Sequence, residues 1–272
     1  MRDERHLSFK ARLENVPSAA DFVVQSAQAA GLDDRAIYHC QLAVDEACTN
    51  IIEHGFGGDQ ADTHGQIHLI TGIEEDDVFV ITIADNSPAF NPVTYKDPDP
   101  TMPLEDRPGG GWGIYFIKKL MDAIDYRHAD GKNHLTLRKN IQDAGQAHQS
   151  KAQDVISVTR QIRDKDYLQL NLAGQIDSQT SGQLESVLDE EISEHGNIRL
   201  IVSFQNVNYI SSSGLKVLVS AWRKARQQGG DVLVTDLQSR IREVFEMIGF
   251  DMMFHIYDNP EAAIADNPID RS

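Results

Sequence analysis

Nowhere in this sequence do roughly 18 apolar residues run together, the length that a membrane-crossing helix needs. Its first residues, Met1-Arg-Asp-Glu-Arg-His6, also lack the apolar stretch of an export signal, so a cytoplasmic address is the expectation. Cysteine is scarce. Cys40 and Cys48 fall in one expected helix, about 12 Å apart along its axis and too far to pair with each other. No Cys-x-x-Cys or His-Glu-x-x-His spacing points to a metal, so both read as reduced core residues. Positive charge is scarce too: 25 Lys and Arg face 42 Asp and Glu, a formal net charge of −17. That balance argues against direct binding to nucleic acid or an anionic membrane, because both depend on neutralising phosphate with Lys and Arg. The densest basic run, Trp222-Arg-Lys-Ala-Arg226, reads as the solvated face of a helix. Protein partners are the expectation.

What is present suffices for real cores, since 272 residues with 40% hydrophobic content can fill one large or two ordinary domains. From Lys139 to Asp154 the chain is polar, poor in large apolar residues and without strand or helix periodicity. A domain over 1–140, a linker over 141–153 and a second domain over 154–272 follow, each alternating strands with helices in an α/β pattern. In the first half the spacing predicts a strand at 7–13, helices at 16–30 and 33–52, strands at 66–71 and 78–84, a helix at 112–121 and a strand at 134–138. In the second it predicts strands at 155–159, 167–172, 198–204 and 231–235, with helices after Gly174-Gln-Ile-Asp-Ser178, at 215–226 and at 239–248.

Three elements of the first half carry chemistry together. Along Asp45-Glu-Ala-Cys-Thr-Asn-Ile-Ile-Glu-His-Gly55, Glu46 and Asn50 stand at i and i+4, on one stripe of a helix whose other face is apolar. Either they solvate an ordinary helix, or they line a site where an amide oxygen ligates Mg²⁺ and a carboxylate takes a hydroxyl proton. Asp85 ends an apolar strand, as a turn residue or as an acceptor for an exocyclic amine such as that of adenine. Gly109-Gly-Gly-Trp-Gly113 then opens a helix, an arrangement that lets backbone N–H groups approach a polyphosphate. In the second half, Ser211-Ser-Ser213 precedes Gly214 between a buried strand and a helix. The hydroxyls either cap that helix or present an exposed serine on which a phosphate would act as a switch.

These stretches resemble a known family, the GHKL ATPases, and within it the small anti-sigma-factor serine kinases. The segment 45–55 is similar to their N box, Asp85-Asn-Ser-Pro-Ala-Phe-Asn-Pro92 to their G1 box, and 109–122 to their G2 box. The resemblance covers nearly all of residues 1–140 and implies a Bergerat-type α/β sandwich holding ATP and Mg²⁺. By position it implies Glu46 as catalytic base, Asn50 as Mg²⁺ ligand, Asp85 as adenine reader, and Gly109, Gly111 and Gly113 as phosphate loop. Residues 154–266 resemble a STAS domain, the anti-sigma-factor antagonist fold, through Leu172-Ala-Gly-Gln-Ile-Asp-Ser178, 208–218 and 241–250. Aligned on Gly214, this implies Ser212 as phosphoacceptor, with Ser213 as runner-up. Two positions depart from the pattern: Ser87 stands where the G1 box has glycine, and Ser211 where the antagonist motif has aspartate. A Cβ at 87 either crowds the base or restricts the turn.

The combination implies a serine kinase and its usual substrate type in one chain, acting as a partner-switching regulator of transcription. Its expected partners are a sigma factor, a separate STAS or anti-sigma protein and a phosphatase acting in trans; a homodimer stays open. The rival expectation is a non-enzymatic interaction module with a degenerate nucleotide site.

Overall fold

The computed structural model describes residues 1–58, 65–98, 112–141 and 156–266, which fall into two compact units divided between 141 and 156. The first unit runs β1 (Arg2–Lys10), α1 (Val16–Ala29), α2 (Asp34–Asn50), β2 (Gln66–Glu74), β3 (Val78–Asp85), α3 (Trp112–Leu120), β4 (Ala123–Ala129) and β5 (Lys132–Asn140). Its strands form one antiparallel sheet in the order β1-β2-β3-β5-β4. Alternation sets the inner face: Ile67 and Leu69 of β2, Phe79, Ile81 and Ile83 of β3, and Leu135 and Leu137 of β5 are buried. Against them pack Val23 and Ala27 of α1, Ala43, Ala47 and Cys48 of α2, and Ile117 of α3, completing a helix-on-sheet sandwich.

Local chemistry explains where α2 begins. Asp33, in extended conformation, accepts a hydrogen bond from the Ala36 backbone N–H at 2.7 Å, satisfying one of the free donors of the first turn. Gly31 turns the chain beforehand at φ +87°, a region open to glycine at little cost. At its far end α2 passes through one π-helical turn, Ile51–Gly55, before the chain leaves the helix. β1 starts earlier than its pattern predicts and stops at Lys10, because Leu13–Asn15 winds into a 3-10 turn. β4 escaped the sequence pattern altogether: it is an edge strand, exposed at every second residue or more.

The second unit comprises β6 (Ser157–Ile162), β7 (Leu168–Ile176), α4 (Ser181–Asp189), β8 (Arg199–Ile210), α5 (Ser212–Gln227), β9 (Asp231–Thr235), α6 (Ser239–Met247), β10 (Ile256–Tyr257) and α7 (Pro260–Asp266). Sheet order is β10-β9-β8-β7-β6, parallel except for the β6–β7 pair. Residues 200–204 and every residue of β9 are buried, as strands covered on both faces require. Ala263 of α7 packs with Ile201 and Leu233, and Phe245 of α6 meets Phe204 edge-on at 5.9 Å. The basic run on α5 serves its own unit: Lys224 pairs with Asp189 at 2.6 Å, and Arg226 lies over the Trp222 ring and 3.6 Å from Asp231. Among the described residues no helix is long and apolar enough to cross a membrane.

Glu191, in a π-helical turn after α4, is almost fully buried and accepts from Arg160 at 2.5 Å, Asn197 at 2.8 Å and His195 at 3.2 Å. Burial alone would push its carboxyl up, but these donors outweigh it and hold it below the ordinary range. Its stabilisation is therefore present above the ordinary carboxylate pKa of about 4.3 and lost as pH falls through the depressed value. Glu191→Gln should cost about 1–3 kcal/mol near neutrality and much less in acid, where the wild-type carboxyl is protonated as well. Urea midpoints at the two pH values check this; an equal loss at both would show that charge is not the source.

Both cysteines are free and buried, and burial pushes the Cys40 thiol up to about 12 and Cys48 higher still. Neither should react with Ellman's reagent in the native protein at mildly alkaline pH, and both should react in guanidinium chloride. Fast native labelling would contradict their burial.

Candidate functional site

α2 divides its surface between a core stripe and the polar residues Glu46 and Asn50. Glu46 is 4% exposed despite its charge, and Asn50 is half-buried. Both face the start of α3 at Gly113, where an added Cβ would collide with Glu46 Oε2 and stand 3.1 Å from Asn50 Nδ2. The spacing of one helical turn and the missing side chain thus meet: three expected site residues form one constellation. Asn50 Nδ2 is buried without a hydrogen-bond partner, and so is the neighbouring Thr49 Oγ1. An unpaired amide N–H beside a helix start that bears no side chain suits the oxygens of a polyphosphate. No group of three or more His, Cys, Asp or Glu able to hold a metal occurs among the described residues, so a cation at Asn50 would take most of its ligands from phosphate and water. Gly109 and Gly111 lie outside the described residues.

Asp85 closes β3, 3% exposed, paired in register with Ile67 on one side and Asn133 of β5 on the other. Its Oδ1 accepts from the Ser87 backbone N–H at 2.8 Å and from Asn133 Nδ2 at 3.0 Å. Ser87 restricts this turn: its Oγ accepts from Asn133 Nδ2 at 3.1 Å, and its side chain turns toward Gly55 at the end of the π-helical turn. A Cβ on Gly55 would stand 2.8 Å from Ser87 Oγ and 2.9 Å from Ser87 Cβ. The side chain gained at 87 thus occupies space left free at 55. Asn133, with Tyr126 and His128 behind it, was invisible to sequence reasoning: it sits just ahead of the expected strand, and β4, which carries the other two, was not expected.

In the second unit β7 and β8 run parallel and end opposite each other at Ile176 and Ile210. The chain continues as Ser211 and then α5, which begins at Ser212 and not at Leu215. Ser211 occupies the N-cap position in extended conformation, yet its side chain makes no cap hydrogen bond. Its Oγ and that of Ser178, after the neighbouring strand, are both buried without partners. The expectation of an exposed Ser212 does not hold: it is 6% exposed, whereas Ser213 is half-buried. Gly214 gives the reason, since a Cβ there would stand 2.5 Å from Ile176 Cγ2 and 2.9 Å from Ile210 Cγ1. That close approach draws the first turn of α5 down onto the strand ends.

Residues 9–139 match the family model of the histidine kinase-like ATPase domain, and residues 157–263 that of the STAS domain. A serine-protein kinase RsbW of Bacillus mycoides is 37% identical over 95 residues, 34% of this chain and 56% of that protein, so the match spans little more than half of that relative. Another RsbW, from Bacillus cereus, is 31% identical over 127 residues, 43% of this chain and 76% of its own length. A protein named as the anti-sigma factor antagonist BtrV of Bordetella bronchiseptica is 34% identical over 94 residues, 35% of this chain and 80% of that one.

The contact between Ser87 and Gly55 makes a testable pair. Gly55→Ala should cost about 1–3 kcal/mol by overpacking, and adding Ser87→Gly should recover most of it, a coupling of about 1 kcal/mol or more in urea denaturation. Simply additive losses would show that the two positions do not share space.

Proposed function

We infer the function from one premise: the chain belongs, through its first domain, to the RsbW-like family of histidine kinase-like ATPase domains and, through its second, to the STAS family of anti-sigma factor antagonists. It is an RsbW-like kinase domain joined to a STAS domain, and its role is partner switching in the control of transcription. The first domain binds ATP and transfers the γ-phosphate to Ser212 of the same or a neighbouring chain, which changes the affinity for a sigma factor or an anti-sigma protein. The observation that carries this reading is the meeting of Glu46, Asn50 and Gly113, with the Asn50 amide nitrogen buried and unpaired.

Each residue then has a stated task. Asp85 accepts a hydrogen bond from the exocyclic amine of adenine, and Gly113 lets the α3 backbone approach the phosphates. Asn50 would hold Mg²⁺ through its amide oxygen, and the cation would supply neutralisation of charge on the phosphates. Ser212 Oγ bonds to the γ-phosphorus as the bond to the bridging oxygen breaks and ADP leaves, and Glu46 takes the hydroxyl proton. The new phosphate brings nearly two negative charges to the first turn of α5, where free N–H groups favour an anion. In its buried place Ser212 reaches a kinase only if the first turn of α5 opens, and the more exposed Ser213 is for that reason the second acceptor to test. A separate phosphatase resets the switch.

The test is incubation of the full chain with Mg-ATP followed by peptide mass mapping. One phosphate on Ser212 is expected, absent in Ser212→Ala and reduced on the order of 100-fold or more in Asn50→Ala. Phosphate that persists in Ser212→Ala and vanishes in Ser213→Ala would move the acceptor by one residue. No transfer to this chain or to an added STAS protein, despite ATP binding, would sink the kinase reading and leave an interaction module.

A further inference from the structure

We propose that Asn133 is a positioning residue that sets purine selectivity, by fixing the carboxylate of Asp85 as an acceptor for the group at the base's six-position. This rests on the reading of Asp85 as the base-contacting carboxylate.

Asn133 is 5% exposed and lies directly opposite Asp85 in the β3–β5 register. Its Nδ2 serves Asp85 Oδ1 at 3.0 Å, Ser87 Oγ and Ser87 O at 3.1 Å, and Pro88 O at 3.4 Å, two N–H groups shared among four acceptors. Its Oδ1 accepts from the Tyr126 hydroxyl at 2.7 Å and from His128 Nδ1 at 3.1 Å. Chemistry decides which way this amide points. Two of these partners are carbonyls, which are acceptors only, so the atom facing them must be the NH₂, and turning the amide over would set oxygen against oxygen at both contacts. Tyr126 and His128 hold the other end as donors. The chain of bonds therefore runs in one direction, from β4 through Asn133 to Asp85.

Among the described residues, the carboxylate's hydrogen bonds from Ser87 N–H and from Asn133 both go to Oδ1. With one oxygen held by two donors the group cannot rotate freely, and the site stays acceptor-only. Such a floor takes the amine of a 6-aminopurine and rejects the carbonyl of a 6-oxopurine, which would face it oxygen to oxygen. Asn133 touches no part of a base in this scheme. It acts through Asp85, so its removal should be felt only by the nucleotide that uses Asp85.

ADP and IDP, which differ in that one group and carry no transferable γ-phosphate, give the test by calorimetric titration of the full chain. The wild type should bind ADP about 10- to 100-fold more tightly than IDP, the range for a hydrogen bond to a charged group. Asn133→Ala should narrow that ratio to about threefold or less by weakening ADP, with IDP affinity within about twofold of wild type. Tyr126→Phe, which only unties the far end of the amide, should narrow it by about 2- to 5-fold and decides the matter if Asn133→Ala does not fold. Asp85→Asn is the control for the underlying reading and should abolish or reverse the preference, because an amide can donate to the 6-oxo group. A collapse in Asp85→Asn with the ratio unchanged in both other variants would overturn the role of Asn133 alone. Equal weakening of ADP and IDP in Asn133→Ala would overturn it too, as the mark of a general structural loss. Absence of any wild-type preference would overturn the reading of Asp85 and, with it, this inference.

Discussion

The close approach of α3 to α2 at Gly113 is the constraint on which the first domain's site depends. A helix start carrying any side chain there would strike the Glu46 carboxylate and crowd the Asn50 amide, forcing the two helices apart. With hydrogen alone at that position, the start of α3 packs directly against the polar stripe of α2. Burial of Glu46 and Asn50 follows from this approach as well, so the same contact that assembles the site also makes its polar groups costly to leave unmatched.

The second domain uses the same device for a different end. Gly214 lets the first turn of α5 settle against Ile176 and Ile210, where two parallel strands stop side by side. Hydroxyl groups gather there by consequence, with Ser178 and Ser211 left unpaired and Ser212 nearly covered. The carboxyl ends of parallel strands are where α/β folds place functional groups, because helix starts and strand ends both offer unmatched backbone there. Ser212 is nearly covered there, so any group added to its hydroxyl would have to change how that turn packs.

Buried carboxylates in the two domains are handled in contrasting ways. Asp85 is met by neutral donors, a backbone N–H and the Asn133 amide. Glu191 is met by Arg160, Asn197 and His195, and Asp231 by His255 at 2.9 Å with Arg226 at 3.6 Å. A carboxylate tied to a guanidinium is a structural group, whereas one held by an amide can still take a further donor. The difference separates a candidate base reader from residues that fasten a fold.

Much of this was legible in the chain itself. The period of α2, the interval between Glu46 and Asn50, the apolar strand ending at Asp85 and the serines before Gly214 are local patterns, and local patterns survive without knowledge of neighbours. They sufficed for two α/β domains and for the residues brought together at Gly113. Edge strand β4 and short elements such as β10 and α7 were not legible, because little apolar surface marks them. Tertiary structure alone decided that Ser87 fills the space beside Gly55, that Asn133 orients Asp85 from 48 positions away, and that Ser212 is covered where an exposed serine was expected. Each depends on register between strands or on the distance between elements far apart in sequence, and a one-residue shift in either would change the outcome while leaving every local pattern intact.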